Sequence, residues 1–226
     1  MDKEKVRIKI CGLRRREDIL AVNRYLPDYA GFILGFPRSF RCISEDELAD
    51  LTGMLDSRIC PVGVFVNADP EWIESLLKKG FIRIAQLHGA EDEEYINRIK
   101  NNTGCPVIKA FKIGSAEDVS EALKSSADYI LLDQGYGSGK TFDWNLVPRI
   151  SRPFFLAGGL SEDNIDEALK RLSPFAVDLS SSVETDRFKD PQKIERIIAA
   201  VREPERRQHC PKDDLETTEA NTSPKH

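Results

Sequence analysis

The sequence predicts an α/β fold of the (β/α)8 barrel type in a single domain, and three observations carry that expectation. Apolar runs rich in valine and isoleucine recur eight times, at residues 6–10, 29–34, 62–66, 82–87, 107–111, 129–132, 154–157 and 175–179. Each run is nearly continuous rather than alternating, the pattern of a parallel strand covered on both faces. The runs follow one another at spacings of about 25 residues, and a barrel of this kind needs roughly 200 residues. The chain has 226. The rival is an open doubly wound sheet, which usually has fewer strands and a Gly-x-Gly-x-x-Gly turn after the first. The residues after the first run, Cys11-Gly12-Leu13-Arg14, do not form that turn.

Between the runs lie amphipathic stretches that begin with helix-start chemistry. Ser44-Glu45-Asp46-Glu47 precedes Leu48 to Leu55, and Asp69-Pro70-Glu71 precedes Trp72 to Leu77. Ser115-Ala116-Glu117-Asp118 stands before Val119 to Leu123, and Ser161-Glu162-Asp163 before Ile165 to Leu172. A short oxygen-bearing side chain followed by acids satisfies the free N–H groups of a first helical turn. The composition changes from Glu203 onward, where the chain has one leucine and no other large aliphatic or aromatic residue. Such a segment has too little to bury to fold. The domain is therefore expected over 1–203, with a disordered, solvated tail over 204–226.

Hydrophobic residues make up 40% and charged residues 31% of the chain, and the net charge is -5. Lysine and arginine are spread along its length, with no basic stripe of the kind that tracks a phosphate backbone, so no nucleic-acid partner is expected. No apolar run reaches the eighteen or so residues of a membrane span, and the start MDKEKVR lacks the apolar core of a secretory signal. No membrane association is expected, and a cytoplasmic location is. The five cysteines have no Cys-x-x-Cys spacing, which argues against a disulfide framework or a zinc clamp. Cys60 and Cys105 each open an apolar run and read as small buried hydrophobes. Of the three histidines, His209 and His226 lie in the tail, which excludes a multi-histidine metal site. No metal and no cofactor are expected.

In a barrel of this type the chemistry lies at the C-terminal ends of the strands. The residues that close the runs are Cys11, Gly35, Asn67, His88, Lys112, Asp133, Gly158-Gly159 and Ser180-Ser181. Cys11 and Asp133 are the two that can move protons near neutral pH without a metal. His88, in Gln86-Leu87-His88-Gly89, is a candidate substrate contact. The stretch Gly135 to Thr141 looks like a P-loop but has Gln134 where the motif needs glycine, and it reads instead as a flexible loop over the site. A phosphate cradle is expected from Gly158 and Gly159 together with Asp178, Ser180 and Ser181, because the loops after the last two strands hold phosphate in this fold.

Over about residues 6 to 200 these features resemble the phosphoribosylanthranilate isomerase family of tryptophan biosynthesis. The resemblance lies in Lys9-Ile10-Cys11-Gly12, in Gly31-Phe32 through Ser39-Phe40-Arg41-Cys42-Ile43-Ser44, and in Val62 to Asn67. It continues through Gln86-Leu87-His88-Gly89, Leu131-Leu132-Asp133, residues 137–144, and the Gly158-Gly159 and Ser180-Ser181 turns. It implies an aldose-ketose isomerase with Cys11 as general base, Asp133 as general acid and Arg41 holding the anthranilate carboxylate. The glycine and serine turns would then form a phosphate cup. The implied partner is a small phosphorylated substrate, and the implied assembly a monomer or homodimer. Lys9, two residues before Cys11 on the same strand face, either favours the thiolate or pairs with a neighbouring carboxylate. The chain departs from the family pattern at Ser182, where glycine is usual, at Cys42, where an aromatic residue is common, and in the shortness of the stretch between Asp133 and Gly137. Other phosphate-binding barrels, a metal-dependent epimerase class and a histidine-pathway isomerase with two aspartates, fit less well for want of histidines and because cysteine stands at the first position. A catalytically silent barrel that binds a metabolite or a protein is the remaining alternative.

Overall fold

The computed structural model describes residues 5–134 and 143–202. The glycine-rich stretch at 135–141 and the expected tail at 204–226 lie outside the described residues. Strand and helix alternate: β1 (Arg7–Cys11), α1 (Arg16–Tyr25), β2 (Tyr29–Leu34), β3 (Cys42–Ile43), α2 (Glu45–Gly53), β4 (Cys60–Phe65), α3 (Pro70–Lys78) and β5 (Ile84–Leu87). Next come α4 (Glu93–Thr103), β6 (Val107–Lys112), α5 (Ala116–Lys124) and β7 (Tyr129–Asp133), then a 3-10 turn at Trp144–Leu146. The chain continues through β8 (Phe154–Leu156), α6 (Ile165–Leu172), β9 (Ala176–Leu179), a 3-10 turn at Ser181–Val183, the pair β10 (Glu184–Thr185) and β11 (Phe188–Lys189), and α7 (Pro191–Arg202).

β1 is hydrogen-bonded to both β2 and β9, which closes a parallel ring in the order β1-β9-β8-β7-β6-β5-β4-β2, with β3 appended to β2. The eight predicted runs are the eight strands of this barrel. The first strand runs on to Cys11 and the sixth to Asp133, so both candidate proton carriers are the last residues of their strands. Among the described residues the β7-to-β8 connection has only the 3-10 turn, where the other units have an α-helix.

The helix starts follow their local chemistry. Ser44 accepts from the Glu47 N–H while Glu47 reaches back to the Ser44 N–H, and Ser115 with Asp118 forms the same reciprocal box. Asp69 caps α3 with Pro70 in the first turn, where its missing N–H costs nothing. At α6 the cap position belongs to Asn164, not Ser161, and the Asn164 Oδ1 accepts from the Ser161 N–H at 2.9 Å.

Two apolar layers result. The larger lies between strands and helices and includes Ile8, Ile10, Phe32, Leu34, Phe65, Leu87 and Ile130. The smaller fills the barrel with Tyr29, Val62, Ile84, Ile108, Leu131, Phe155 and Ala176. At the N-terminal end of the barrel Tyr129 stacks on Phe175 at 5.1 Å, and Phe155 meets Tyr29 at 5.4 Å. This aromatic plug leaves polar inward positions to the opposite end. Cys60 and Cys105 are only partly buried at the edges of these layers, a correction to the full burial expected of them, because each precedes a proline at the exposed start of its strand.

Candidate active site

The C-terminal face of the barrel gathers the predicted residues in two groups. In the first, Lys9 and Cys11 both point inward from β1, and Gly31 lies opposite Cys11 on β2. A Cβ at Gly31 would meet the Cys11 Sγ at 2.8 Å and the Lys9 Nζ at 3.0 Å, so only glycine leaves room for both. Lys9 has no exposure and is paired with Asp178, its register neighbour on β9, at 2.9 Å. Its charge also acts on the Cys11 thiol two residues on, but of the two roles the sequence left open, pairing with a carboxylate is the one the geometry shows. Burial pushes the Cys11 thiol up, and the pull of Lys9 downward does not overcome it. Burial likewise works against the Lys9 ammonium, but Asp178 and Cys11 outweigh it and leave Lys9 raised. A further positive charge near this pair would favour the thiolate. The Ser180 hydroxyl donates to the Cys11 carbonyl at 3.1 Å and ties the β9 end to the β1 end.

The second group is centred on Asp133, three steps round the ring from β1. The Asp133 Oδ2 lies 3.4 Å from the His88 Nε2, and the Gln86 Nε2 lies 3.2 Å from the His88 Nδ1. Gly158, with φ of 82°, sits where a Cβ would come within 2.7 Å of the Asp133 Oδ1. Its glycine is required both by the left-handed backbone and by the closeness of the carboxylate. Gly159 follows with φ of 65°.

Arg41 reaches over Gly12 and is held by Glu184, with Nε and Nη2 donating to the two carboxylate oxygens at 2.8 and 2.6 Å. Lys189, nearly buried on β11, also donates to Glu184 at 2.7 Å and to the Ser180 carbonyl at 3.0 Å. Burial works against the Glu184 charge, but these two cations hold its carboxyl below the usual range. Burial lowers Lys189 itself. Ser182, the departure from glycine, lies in the 3-10 turn with no positive φ, so the backbone there is one that serine adopts freely. Cys42 accepts the Phe36 N–H at 3.3 Å and so helps to fold the loop that carries Arg41. Ser181 is exposed at the start of that 3-10 turn.

Several contributors had no sequence signal. Glu184 and its neighbour Lys189 lie far along the chain from Arg41, and Gln86, though only two residues before His88, falls within an apolar run that gives no hint of its contact with that ring. The rim is the clearest case. Arg14 lies over Phe188 at 4.9 Å and Phe40 at 5.6 Å, Arg15 over Phe188 at 4.0 Å, Arg41 over Phe40 at 4.2 Å and Arg187 over Phe40 at 5.0 Å. These residues come from the loops after β1, β2 and β9, which the ring makes neighbours. The result is a positive collar beside Cys11 on a chain whose overall charge is negative. Among the described residues no cluster of histidine, cysteine and acidic side chains has the makings of a metal site, and no helix is long and apolar enough to cross a membrane.

Comparison with known proteins bears on what such an arrangement does. The family model described as N-(5'phosphoribosyl)anthranilate (PRA) isomerase matches residues 8–200. The N-(5'-phosphoribosyl)anthranilate isomerase of Endomicrobium trichonymphae is 44% identical over 201 residues, covering 87% of this chain and 98% of its own. The crystal structure of the phosphoribosyl anthranilate isomerase from Thermus thermophilus superposes with a TM-score of 0.77 at 32% identity, over 86% of this chain and 97% of that one. A phosphoribosyl anthranilate isomerase in complex with reduced 1-(o-carboxyphenylamino)-1-deoxyribulose 5-phosphate superposes with a TM-score of 0.74 at 34% identity, over 87% of this chain and 98% of that one.

Proposed function

The chain belongs to the N-(5'-phosphoribosyl)anthranilate isomerase family, and from that premise we propose that Cys11 and Asp133 are the base and the acid with which it converts N-(5-phosphoribosyl)anthranilate to 1-(2-carboxyphenylamino)-1-deoxyribulose 5-phosphate. The observation that supports this most is that each of these residues ends its strand with a charge-handling partner beside it, Lys9 for Cys11 and His88 for Asp133. Asp133 gives its proton to the ribose ring oxygen, the C1–O bond breaks, and the furanose opens to a protonated Schiff base. Cys11, as the thiolate left once its thiol proton has passed to solvent, then takes the C2 proton, and the electrons of that C–H bond move into the C1–C2 bond and neutralise the iminium nitrogen. The resulting enolamine tautomerises to the ketone. The thiol is raised by burial in the resting protein. The cationic Schiff base supplies the added positive charge that, with Lys9, makes the thiolate accessible when it is needed.

Binding follows from the same face. Gly158 and Gly159 with Ser180 and Ser181 hold the phosphate through backbone N–H groups and hydroxyls. Arg41, oriented along one edge by Glu184, meets the anthranilate carboxylate with the donors Glu184 leaves free. The reading is tested by following the fluorescence of chemically generated phosphoribosylanthranilate. Cys11→Ala and Asp133→Asn are each expected to lower kcat by at least ~10²-fold while binding survives. The double variant should be little worse than the poorer single one. A fully active Cys11→Ala protein would rule out this mechanism.

A further inference from the structure

Gln86 occupies an inward position on β5 between Val64 of β4 and Ile108 of β6, and it is 1% exposed. An aliphatic side chain would fill that position without burying an amide. Among the described residues the amide has one hydrogen-bond contact, from Nε2 to the His88 Nδ1 at 3.2 Å, and its Oε1 has none. An amide nitrogen only donates, so the Nδ1 it faces carries the lone pair, and the proton of the neutral ring falls on Nε2. Nε2 is the atom 3.4 Å from the Asp133 Oδ2. The main chain under the ring is fixed independently. The His88 N–H donates to the Phe65 carbonyl at 2.8 Å, and the Glu91 carboxylate accepts from the Asn67 N–H at 2.7 Å, the Gly89 N–H at 2.8 Å and the Lys109 Nζ at 2.8 Å.

We propose that Gln86 is a positioning residue that holds His88 as the Nε2–H tautomer, so that His88 donates a hydrogen bond to Asp133. The effect on turnover rests on the reading of Asp133 as the acid. As Asp133 releases its proton, negative charge develops on a carboxylate 3.4 Å from Nε2, close enough for a proton on that atom to be drawn into a hydrogen bond. In the opposite tautomer a lone pair would face that charge, and the same geometry would oppose the step.

The test is a long-range ¹H–¹⁵N spectrum of the labelled full chain without substrate, at a pH where His88 is neutral. The chain has three histidines, so the signals lost in His88→Gln assign the ring. The wild type is expected to have a protonated Nε2 and a bare Nδ1. Gln86→Met removes the donor at similar volume, and is expected to give a mixture of tautomers and a kcat lowered about tenfold with KM little changed. Gln86→Glu, an acceptor, should move the proton onto Nδ1. A wild type protonated on Nδ1, or a Gln86→Met protein that keeps both the Nε2–H form and its kcat, overturns the proposal. If Gln86→Glu does not fold, Gln86→Met decides. A wild type that performs no isomerisation would overturn the functional reading, while the spectrum still decides the tautomer.

Discussion

Replacing Lys9 by methionine strikes the barrel and its chemistry together. Lys9 has no exposure, and Asp178, its partner at 2.9 Å, keeps 8% of its side chain exposed. Neither can turn to water once the other is gone, because they are register neighbours on adjacent strands. Removing one partner of such a buried pair leaves an uncompensated charge and costs about 3–5 kcal/mol. For a chain of this size that is a fall in melting temperature of roughly 6–20 °C. The double variant Lys9→Met, Asp178→Leu removes both charges, and its stability should return to within about 2 kcal/mol of the wild type, since apolar replacements of buried ion pairs are often neutral. Activity should separate from stability. Cys11 loses its closest cation, so its thiol rises further and the rising limb of the kcat–pH profile moves to higher pH in both variants. Urea titration of the three proteins, with kcat measured from pH 6 to 10, reads both effects. A single variant less than about 1 kcal/mol below the wild type, or a double variant no better than the single, would refute the account of the pair.

Arg41→Ala should weaken binding of a reduced product analogue at least ~10-fold while the fold survives, because Glu184 keeps its Lys189 partner at 2.7 Å. Calorimetric titration measures this, and unchanged affinity would remove Arg41 from the site. Burial pushes the Cys60 thiol from 9.0 up to about 11. The folded chain therefore holds that proton more tightly than the unfolded one, and the contribution is complete below pH 9 and lost as pH rises through 11. That amounts to about 3 kcal/mol at most. Cys60→Ala should flatten this alkaline decline in denaturation curves recorded from pH 8 to 11, and an unchanged decline would remove Cys60 as its source.

The strands were legible because a barrel strand is buried on both faces, so Tyr29 to Leu34 or Val107 to Phe111 shows as an unbroken apolar run. Cys11 and Asp133 were legible for a related reason, since a polar residue that ends such a run marks the face where the core stops. The short pieces were not. β3, β10 and β11 have two residues each and carry no period to detect. Yet β10 and β11 bring Glu184 and Lys189 to Arg41. The partner of Lys9 was equally hidden, because register between the first and last strands is a property of closure and not of any local window. The helix Ile165–Leu172 is where the sequence places it, and only its cap differs, Asn164 in place of Ser161, because both side chains suit a cap and the backbone path chooses between them.

The pairing of β1 with β9 has a consequence in time. Lys9 and Asp178 are 169 residues apart, so the first strand has no neighbour for that side of its backbone until almost the whole domain has been made. A domain folds as a unit, and contacts over such separations carry the largest loop-closure cost. Until β9 arrives, an ammonium cannot be sealed into the barrel, and the thiol two residues on stays open to reagents. Loss of Cys11 reactivity during refolding should therefore report the closing of the ring.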